Sequence, residues 1–225
     1  MNIIIHRGTH QIGGSAIEIS TASTRIILDF GNELSLDEKY IPINLDIDGV
    51  TKGMPDCDGI VISHYHIDHL GQLTSALPEI PLYMGKLSKE VAMIATEHQD
   101  KDLYLRLLGA NTFRGGEAFT IGNIHIRPLV IDHSAVDSYM FVIEAEGKRV
   151  LYTGDFRLHG LRHHVLEKLV KTYIGKVDVL ITEGTSLSRD ADDHISEVDV
   201  LDDISSYIQD GKYVFVMCSS TNRSE

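Results

Sequence analysis

The stretch Val61-Ile62-Ser63-His64-Tyr65-His66-Ile67-Asp68-His69-Leu70-Gly71 decides how the rest of this chain is read. Three imidazoles and a carboxylate fall within six consecutive residues. They come directly after Gly59 and the apolar run Ile60-Val61-Ile62, where a buried strand would leave the core and open into a loop. His64, His66 and Asp68 occupy every second position, so an extended backbone points them the same way, with His69 reaching toward a neighbouring position. Such a cluster can serve two adjacent cations, the first held by His64 and His66 and the second by Asp68 and His69. Neutral imidazole with carboxylate suits zinc first and manganese or iron second. The spacing H-x-H-x-D-H rarely arises in a solvated turn that binds nothing.

Composition sets the bounds around that stretch. A chain of 225 residues, 43% of them hydrophobic, can bury one sizeable α/β core without disulfide staples. Acidic residues number 33 against 20 basic ones, and the net charge of −13 argues against a broad basic surface for non-specific nucleic-acid binding. Bound divalent cations would offset part of that charge locally, which leaves room for an anionic substrate. Cys57 and Cys218 are too few and too far apart for a disulfide framework or a thiolate zinc knuckle. The opening Met1-Asn2-Ile3-Ile4-Ile5-His6-Arg7 has no basic lead and only three consecutive isoleucines, so it reads as neither a secretion signal nor a membrane span. A cytoplasmic protein without membrane partners is the expectation.

Taken in order, Asn2 to His6, Ala16 to Ser20 and Arg25 to Phe30 read as short strands separated by Gly13-Gly14 and Thr21-Ala22-Ser23. Asp29 ahead of Phe30-Gly31 reads as ordinary turn chemistry before it reads as support for a metal site. Residues 32 to 58 read as a long loop with one short helix, of a length that usually serves a function. A short helix follows over Leu70 to Leu77, then a strand over Pro81 to Gly85. Apolar residues at helical spacing predict helices from Leu87 through Gln99 and from Leu103 to Leu108, with Met93 and Tyr104 as packing residues. Strands are predicted at Glu117 to Ile121, Ile124 to Ile131, Tyr139 to Ala145, Arg149 to Thr153 and Val177 to Thr182, with hairpin turns at Ile121-Gly122-Asn123 and Glu146-Gly147-Lys148. Val165, Leu166, Leu169 and Val170 share one helical face. Two sheets packed face to face with helices outside, an αββα sandwich, is the architecture expected.

Asp155, in Tyr152-Thr153-Gly154-Asp155-Phe156, stands at a strand end after a glycine that permits close backbone approach. Its two oxygens can bridge a pair of cations, as neutral imidazole cannot. His133, in Asp132-His133-Ser134, also follows a strand, but a lone histidine there is ordinarily a satisfied polar residue.

The cluster at His64 to His69 resembles the metal-binding signature of the metallo-β-lactamase-fold hydrolases. Gly13-Gly14-Ser15, His133-Ser134, Thr153-Gly154-Asp155-Phe156-Arg157 and Glu183-Gly184-Thr185 come in the order and context of one branch, the β-CASP nucleases, which includes ribonuclease J. The resemblance implies an αββα metallo-β-lactamase sandwich, incomplete at its C-terminus, that hydrolyses phosphodiesters of RNA or DNA, RNA being preferred, with a metal-bound hydroxide. It implies two divalent cations, Zn2+ first and Mn2+ second, with His133 as the third ligand of the first, Asp155 bridging, and Asp68 orienting the nucleophile and accepting its proton. Ser134 and Asp137, in the His-Ser-x-x-Asp-Ser run, become supports for the imidazoles. Arg157 and Arg162 become candidates to face substrate phosphate, and Glu183 matches the acidic position after which the branch inserts a second domain, although Gly184 stands where Ser or Ala is more usual.

The domain expectation follows. Residues 1–190 form the N-terminal part of the lactamase domain, and 191–225 begin an inserted domain that is cut short, with an amphipathic helix over 196–210, a strand over Tyr213 to Met217 and a turn at Cys218 to Asn222. Without later strands and the late histidines, His159, His163, His164 and His194 are the substitutes on offer. Unpaired edges and an exposed apolar patch around Tyr213 to Met217 would favour a homo-oligomer. A lactamase-fold hydrolase of thioesters or lactones, and a metal-binding fragment without turnover, are the competing readings.

Overall fold

The computed structural model describes residues 1–35, 41–187, 195–209 and 213–217. Successive side chains of its isoleucine-rich strands are buried on opposite faces. In β3 (Arg25–Leu28), Ile26 and Leu28 turn to one apolar cluster and Ile27 to another. In β4 (Gly59–Ile62), Val61 joins the first cluster while Ile60 and Ile62 join the second. Strands buried on both faces belong to a sheet covered on both sides.

That sheet contains, in spatial order, β1 (Asn2–Arg7), β2 (Ala16–Ser20), β3, β4, β5 (Leu82–Gly85) and β6 (Asn111–Phe113). β1 to β3 pair antiparallel and β3 to β6 parallel. The second sheet has the order β11-β10-β9-β8-β7, from β7 (Phe119–Ile121), β8 (Ile124–Val130), β9 (Tyr139–Ala145), β10 (Lys148–Tyr152) and β11 (Val179–Ile181). Only β10 and β11 pair parallel in it. Ile17, Ile19, Ile26, Leu28 and Val61 pack between the sheets against Phe113, Ile126, Tyr139, Phe141 and Val150.

Helices cover the outer faces. The first sheet packs Ile27, Ile60, Ile62 and Met84 against Ala92 of α2 (Lys86–Thr96) and Leu103 and Leu107 of α3 (Lys101–Leu108), with Leu70 of the short α1 (Ile67–Leu70). The second packs Met140, Val142 and Leu151 against Leu169 of α4 (Val165–Leu169) and Ile174 at the end of the π turn that continues it. The αββα sandwich read from the sequence is the fold observed. No described helix is long and apolar enough to cross a membrane.

Four local expectations are corrected. β6 went unread, since Asn111-Thr112-Phe113 carries no strand-like run and gains its status by pairing with β5. The helix predicted over Leu70 to Leu77 is instead α1 followed by a single 3-10 turn at Leu73–Ser75. The described part of 32–58 contains no helix; the Arg25 guanidinium gathers it by donating to the carbonyls of Asp48 at 2.9 Å and Asp56 at 3.3 Å. Tyr213 to Met217 is not a strand, because no described strand lies alongside to pair its backbone, and Tyr213 and Met217 are almost wholly exposed. α5 (Glu197–Gln209) matches the predicted helix, with Val198, Leu201, Tyr207 and Ile208 about half-exposed. The boundary at 190/191, His194 and the turn at Cys218 to Asn222 lie outside the described residues.

Topology places the site. β3 and β4 run parallel, so both carboxyl ends open on one edge. β8 and β10 each run antiparallel to β9, so they point the same way as one another, and β11 follows β10. The chain leaves β3 at Asp29, β4 at Ser63, β8 at Ile131, β10 at Thr153 and β11 at Thr182, all at the same rim.

Candidate metal centre

The histidine cluster does not continue as an extended strand. His66 is the N-cap of α1, and Leu70 N–H donates to the His66 carbonyl, so Asp68 and His69 ride on the first helical turn. The period-2 reading of Asp68 is therefore replaced by a helical one. The reason is local: the Asp68 carbonyl accepts from Gly14 N–H and Ser15 N–H, and Phe30 N–H donates to the His69 carbonyl, which pulls the backbone out of the strand. Gly31 makes this possible, since a Cβ there would run into the Asp68 carbonyl. Gly154 does the same on the other sheet, its left-handed backbone at φ 53° leaving only 2.9 Å between a would-be Cβ and the Tyr139 carbonyl.

Six of the residues singled out in the sequence converge. His64 Nε2 lies 3.1 Å from His66 Nδ1, and His133 Nε2 lies 3.2 Å from the same atom. Three imidazole nitrogens at that separation match the ligand spacing of about 3.3 Å expected around a tetrahedral zinc with bonds of about 2.0–2.1 Å. A second set, His64, His69 and Asp155, also brings one donor atom from each residue within 4.8 Å of the others. Asp155 Oδ1 is 3.2 Å from His69 Nε2 and its Oδ2 is 3.8 Å from His133 Nε2, so the two oxygens face different sets. Asp68 Oδ2 approaches His69 Nε2 at 3.6 Å. The donors fit a pair of divalent cations. Among the described residues, His159, His163 and His164 join neither set.

Behind the donors stands Asp29, which the sequence suggested to be a turn residue. It is fully buried, in left-handed backbone at φ 54°. Its Oδ1 accepts from Ser63 N–H at 2.6 Å; its Oδ2 accepts from Ser63 Oγ at 2.8 Å, His69 Nδ1 at 2.8 Å and Tyr152 Oη at 2.5 Å. A carboxylate can only accept, so His69 carries a proton on Nδ1 and turns Nε2 toward Asp68 and Asp155, where it can take a cation once its own proton is released. The one available clue in the sequence was an acidic residue closing an all-apolar strand next to the strand that feeds the histidines.

Charge follows burial. Burial, then repulsion from His69, His133 and His66, holds His64 well below the ordinary imidazole range, and burial takes His133 down to about 3 despite Asp155 beside it. Both are neutral, with lone pairs available, at neutral pH. For His69 burial works downward too, but Asp29 and Asp155 outweigh it and hold the ring well above its usual value. Burial raises Asp68, whereas in Asp155 the hydrogen bond and charge of His69 overcome burial and lower it.

The remaining candidates sit elsewhere. Asp137 does not reach an imidazole. Its Oδ2 accepts from Leu87 N–H at 2.9 Å and Ser88 N–H at 3.0 Å, capping α2 from another loop, and its Oδ1 accepts from the Tyr139 hydroxyl. Ser134 is half-buried beside His133 and gives no hydrogen bond to an imidazole among the described residues. Tyr65 links the two ligand loops instead, its hydroxyl accepting from Val136 N–H at 3.1 Å. Arg157 is held by Asp132 and Glu197 at 3.0 and 2.7 Å rather than presented to a substrate, because two carboxylates compete for its fork. The backbone N–H of Arg162 also donates to Asp132. Glu183 accepts from Phe156 N–H at 2.8 Å, and burial raises its carboxyl above the usual range. With Asp68, His69 and Asp155 it lines a cleft of about 580 Å³ whose other wall is the loop from Arg7 to Gly13.

The family model described as "Beta-lactamase superfamily domain" matches residues 27–209, a span that contains all six donors and Asp29. Among curated proteins the chain is 28% identical to the Endoribonuclease ysh-1 of Neurospora crassa, over 79% of this chain and 23% of that one. It is 26% identical to an RNase J-like protein of Methanocaldococcus jannaschii, over 98% and 52%, and 28% identical to the RNase aCSPSF2 of Saccharolobus solfataricus, over 97% and 46%. The chain thus spans between about a quarter and half of the length of these relatives. A solved protein of unknown function from Enterococcus faecalis V583 shares the fold with a TM-score of 0.75 at 22% identity, over 92% of this chain and 57% of that one. On the strength of the family match, which covers residues 27–209, this chain belongs to the beta-lactamase superfamily.

Proposed function

We propose that this chain carries the metal-dependent hydrolytic centre of a ribonuclease that cleaves RNA phosphodiesters. In this reading His64, His66 and His133 hold one divalent cation and Asp68, His69 and Asp155 a second, zinc in the first instance and manganese as the alternative. The observation that carries it is the placing of the two Asp155 oxygens, one toward His69 and the other toward His133. Relatives named as an endoribonuclease and an RNase J-like protein favour RNA over a small thioester or lactone. Residues 1–190 form the catalytic sandwich and 191–225 open a second unit, in a cytoplasmic homo-oligomer.

Bound cations supply Lewis acidity toward a phosphoryl oxygen and lower the pKa of water toward about 7. The chain supplies the rest. Asp68, its carboxyl raised by burial, stands at the cleft wall to accept a proton from the attacking water. Asp155 fixes the separation of the two donor sets, and Asp29 fixes the tautomer of His69. Exposed Ile12 and Leu187 and the polar Thr9, Thr182 and Thr185 give the cleft walls that suit both sugar-base and phosphate groups.

The test is hydrolysis by the protein of end-labelled RNA and of a thioester panel, before and after chelation and re-addition of Zn2+ or Mn2+. RNA cleavage that depends on metal and falls by at least about a hundredfold in Asp155→Asn is expected, as for loss of a central electrostatic element. Cleavage of thioesters alone would replace the ribonuclease reading with a small-substrate hydrolase.

A further inference from the structure

We propose that Arg157 is a positioning residue that holds His133 and Asp155 at bridging distance, and that α5 is tied to the centre through it. This rests on the two donor sets being a metal centre. β9 lies between β8 and β10, so no ladder hydrogen bond fixes one ligand-bearing exit against the other. The exits are joined instead by the segment after Asp155, which folds back over Asp132. Arg157 N–H donates to the Asp132 carbonyl at 2.9 Å, its Nε to Asp132 Oδ1 at 3.0 Å, and Arg162 N–H to Oδ2 at 2.9 Å. Gly160 keeps the fold-back tight, since a Cβ there would stand 2.6 Å from Arg157 Nε.

Asp132 immediately precedes His133, and Arg157 follows Asp155 by two residues, so each half of the brace adjoins a ligand. The side chains of Asp132 and Arg157 are 5% and 12% exposed, where water screens their attraction little. Separating them would leave a buried charge unpaired, which makes sliding of one exit past the other costly.

Glu197, in the first turn of α5, completes the junction. Its Oε1 accepts from Arg157 Nη1 at 2.7 Å, its Oε2 from Leu161 N–H at 3.2 Å, and its own N–H donates to the His159 carbonyl at 2.9 Å. Val198, Val200, Leu201, Tyr207 and Ile208 of α5 stay about half-exposed and Ile204 is part-buried, so among the described residues this helix is attached chiefly by a polar joint. Among the described residues Arg157 joins two carboxylates, one beside the centre and one on α5. A shift of the helix therefore acts on the separation of the two ligands.

The experiment is Co2+ titration of the metal-free protein, read by visible absorption and by competition with a chelator, for wild type, Arg157→Lys, Glu197→Gln and the double variant. Thermal unfolding of each metal-free protein serves as the folding control. Lysine keeps the charge and loses the fork, so the second Co2+ is expected to bind about tenfold more weakly with an altered absorption band, the scale of a lost outer support. Glu197→Gln should move affinity and band in the same direction by less, and the double variant should be no weaker than Arg157→Lys, as expected for residues acting through one group. Arg157→Lys with wild-type affinity and spectrum would overturn the brace, even with a lowered melting temperature. Additive losses would overturn the link to α5. Should Arg157→Lys not fold, Glu197→Gln leaves the buried pair in place, and an unchanged spectrum in it overturns the link. A wild type that binds no Co2+ would overturn the metal centre itself, and the brace with it.

Discussion

Replacing Asp29 by Asn separates the electrostatic role of this residue from its backbone role. Asn tolerates left-handed backbone as well as Asp does, so the conformation at φ 54° survives and only the charge and one acceptor are lost. The amide oxygen can keep the bond from Ser63 N–H, which leaves an NH2 group facing Ser63 Oγ, Tyr152 Oη and His69 Nδ1. The two hydroxyls can rotate and accept. His69 can accept only by giving up its Nδ1 proton and keeping the one on Nε2, the atom 3.2 Å from Asp155. A charge-assisted hydrogen bond of this kind contributes about 1.5–3 kcal/mol, so a lowering of Tm by roughly 4–10 °C is expected for the metal-free protein. The second cation should bind about 10–100-fold more weakly, or about 1.4–2.7 kcal/mol, because its imidazole now presents N–H rather than a lone pair. Chelator competition measures the affinity, and long-range 15N–1H correlation spectra of His69 report the tautomer. Wild-type affinity in Asp29→Asn, or a ring still protonated on Nδ1, would refute the argument.

The pH dependence of the metal-free protein has two opposed parts. His133 titrates in the fold at about 3, below its unfolded value of about 6.5, so its contribution is complete above pH 6.5 and is lost as pH falls toward 3. His69 is raised in the fold, so its contribution is complete below about pH 6.5 and disappears as pH rises through the folded value. Urea midpoints from pH 4 to 9 should therefore fall on the acid side, and His133→Asn should flatten that limb. Since a cation must displace the His69 proton, affinity at the second site should rise with pH while affinity at the first stays level from pH 6 to 8; isothermal titration in buffers of different ionisation enthalpy counts the proton released. Asp137→Asn should lower stability by about 1 kcal/mol through the weakened cap of α2 and leave metal affinity unchanged, by urea unfolding and chelator competition. Gly31→Ala should cost at least about 4 kcal/mol, because the Asp68 carbonyl has nowhere to go, and should be seen as loss of soluble folded protein by circular dichroism.

Much of this molecule was legible before any coordinate. Short continuous apolar runs at Arg25 to Leu28 and Tyr139 to Ala145, and helical spacing at Leu103 to Leu108, fix local structure because the length and spacing of apolar residues stand directly in the sequence. The cluster at His64 to His69 was readable for the same reason: all of its donors lie within one turn of chain. Partnership across the fold was not readable. Asp29 and a turn aspartate look alike in one dimension, and only the parallel pairing of β3 with β4 puts its carboxylate under Ser63 and His69. Asp137 and Arg157 carried the right residue types for work at the centre, yet the caps and ion pairs within reach of each were decided by which loops meet at the rim. Tyr213 to Met217 has strand-forming residues and no strand, because a ladder needs a neighbour that propensity cannot supply. The sequence by itself determined most of the strands and helices and which side chains can bind a cation. The tertiary structure decided which charges face which, since hydrogen bonds and ion pairs act over a few ångströms between residues as far apart in the chain as Asp29 and Tyr152, separated by 123 positions.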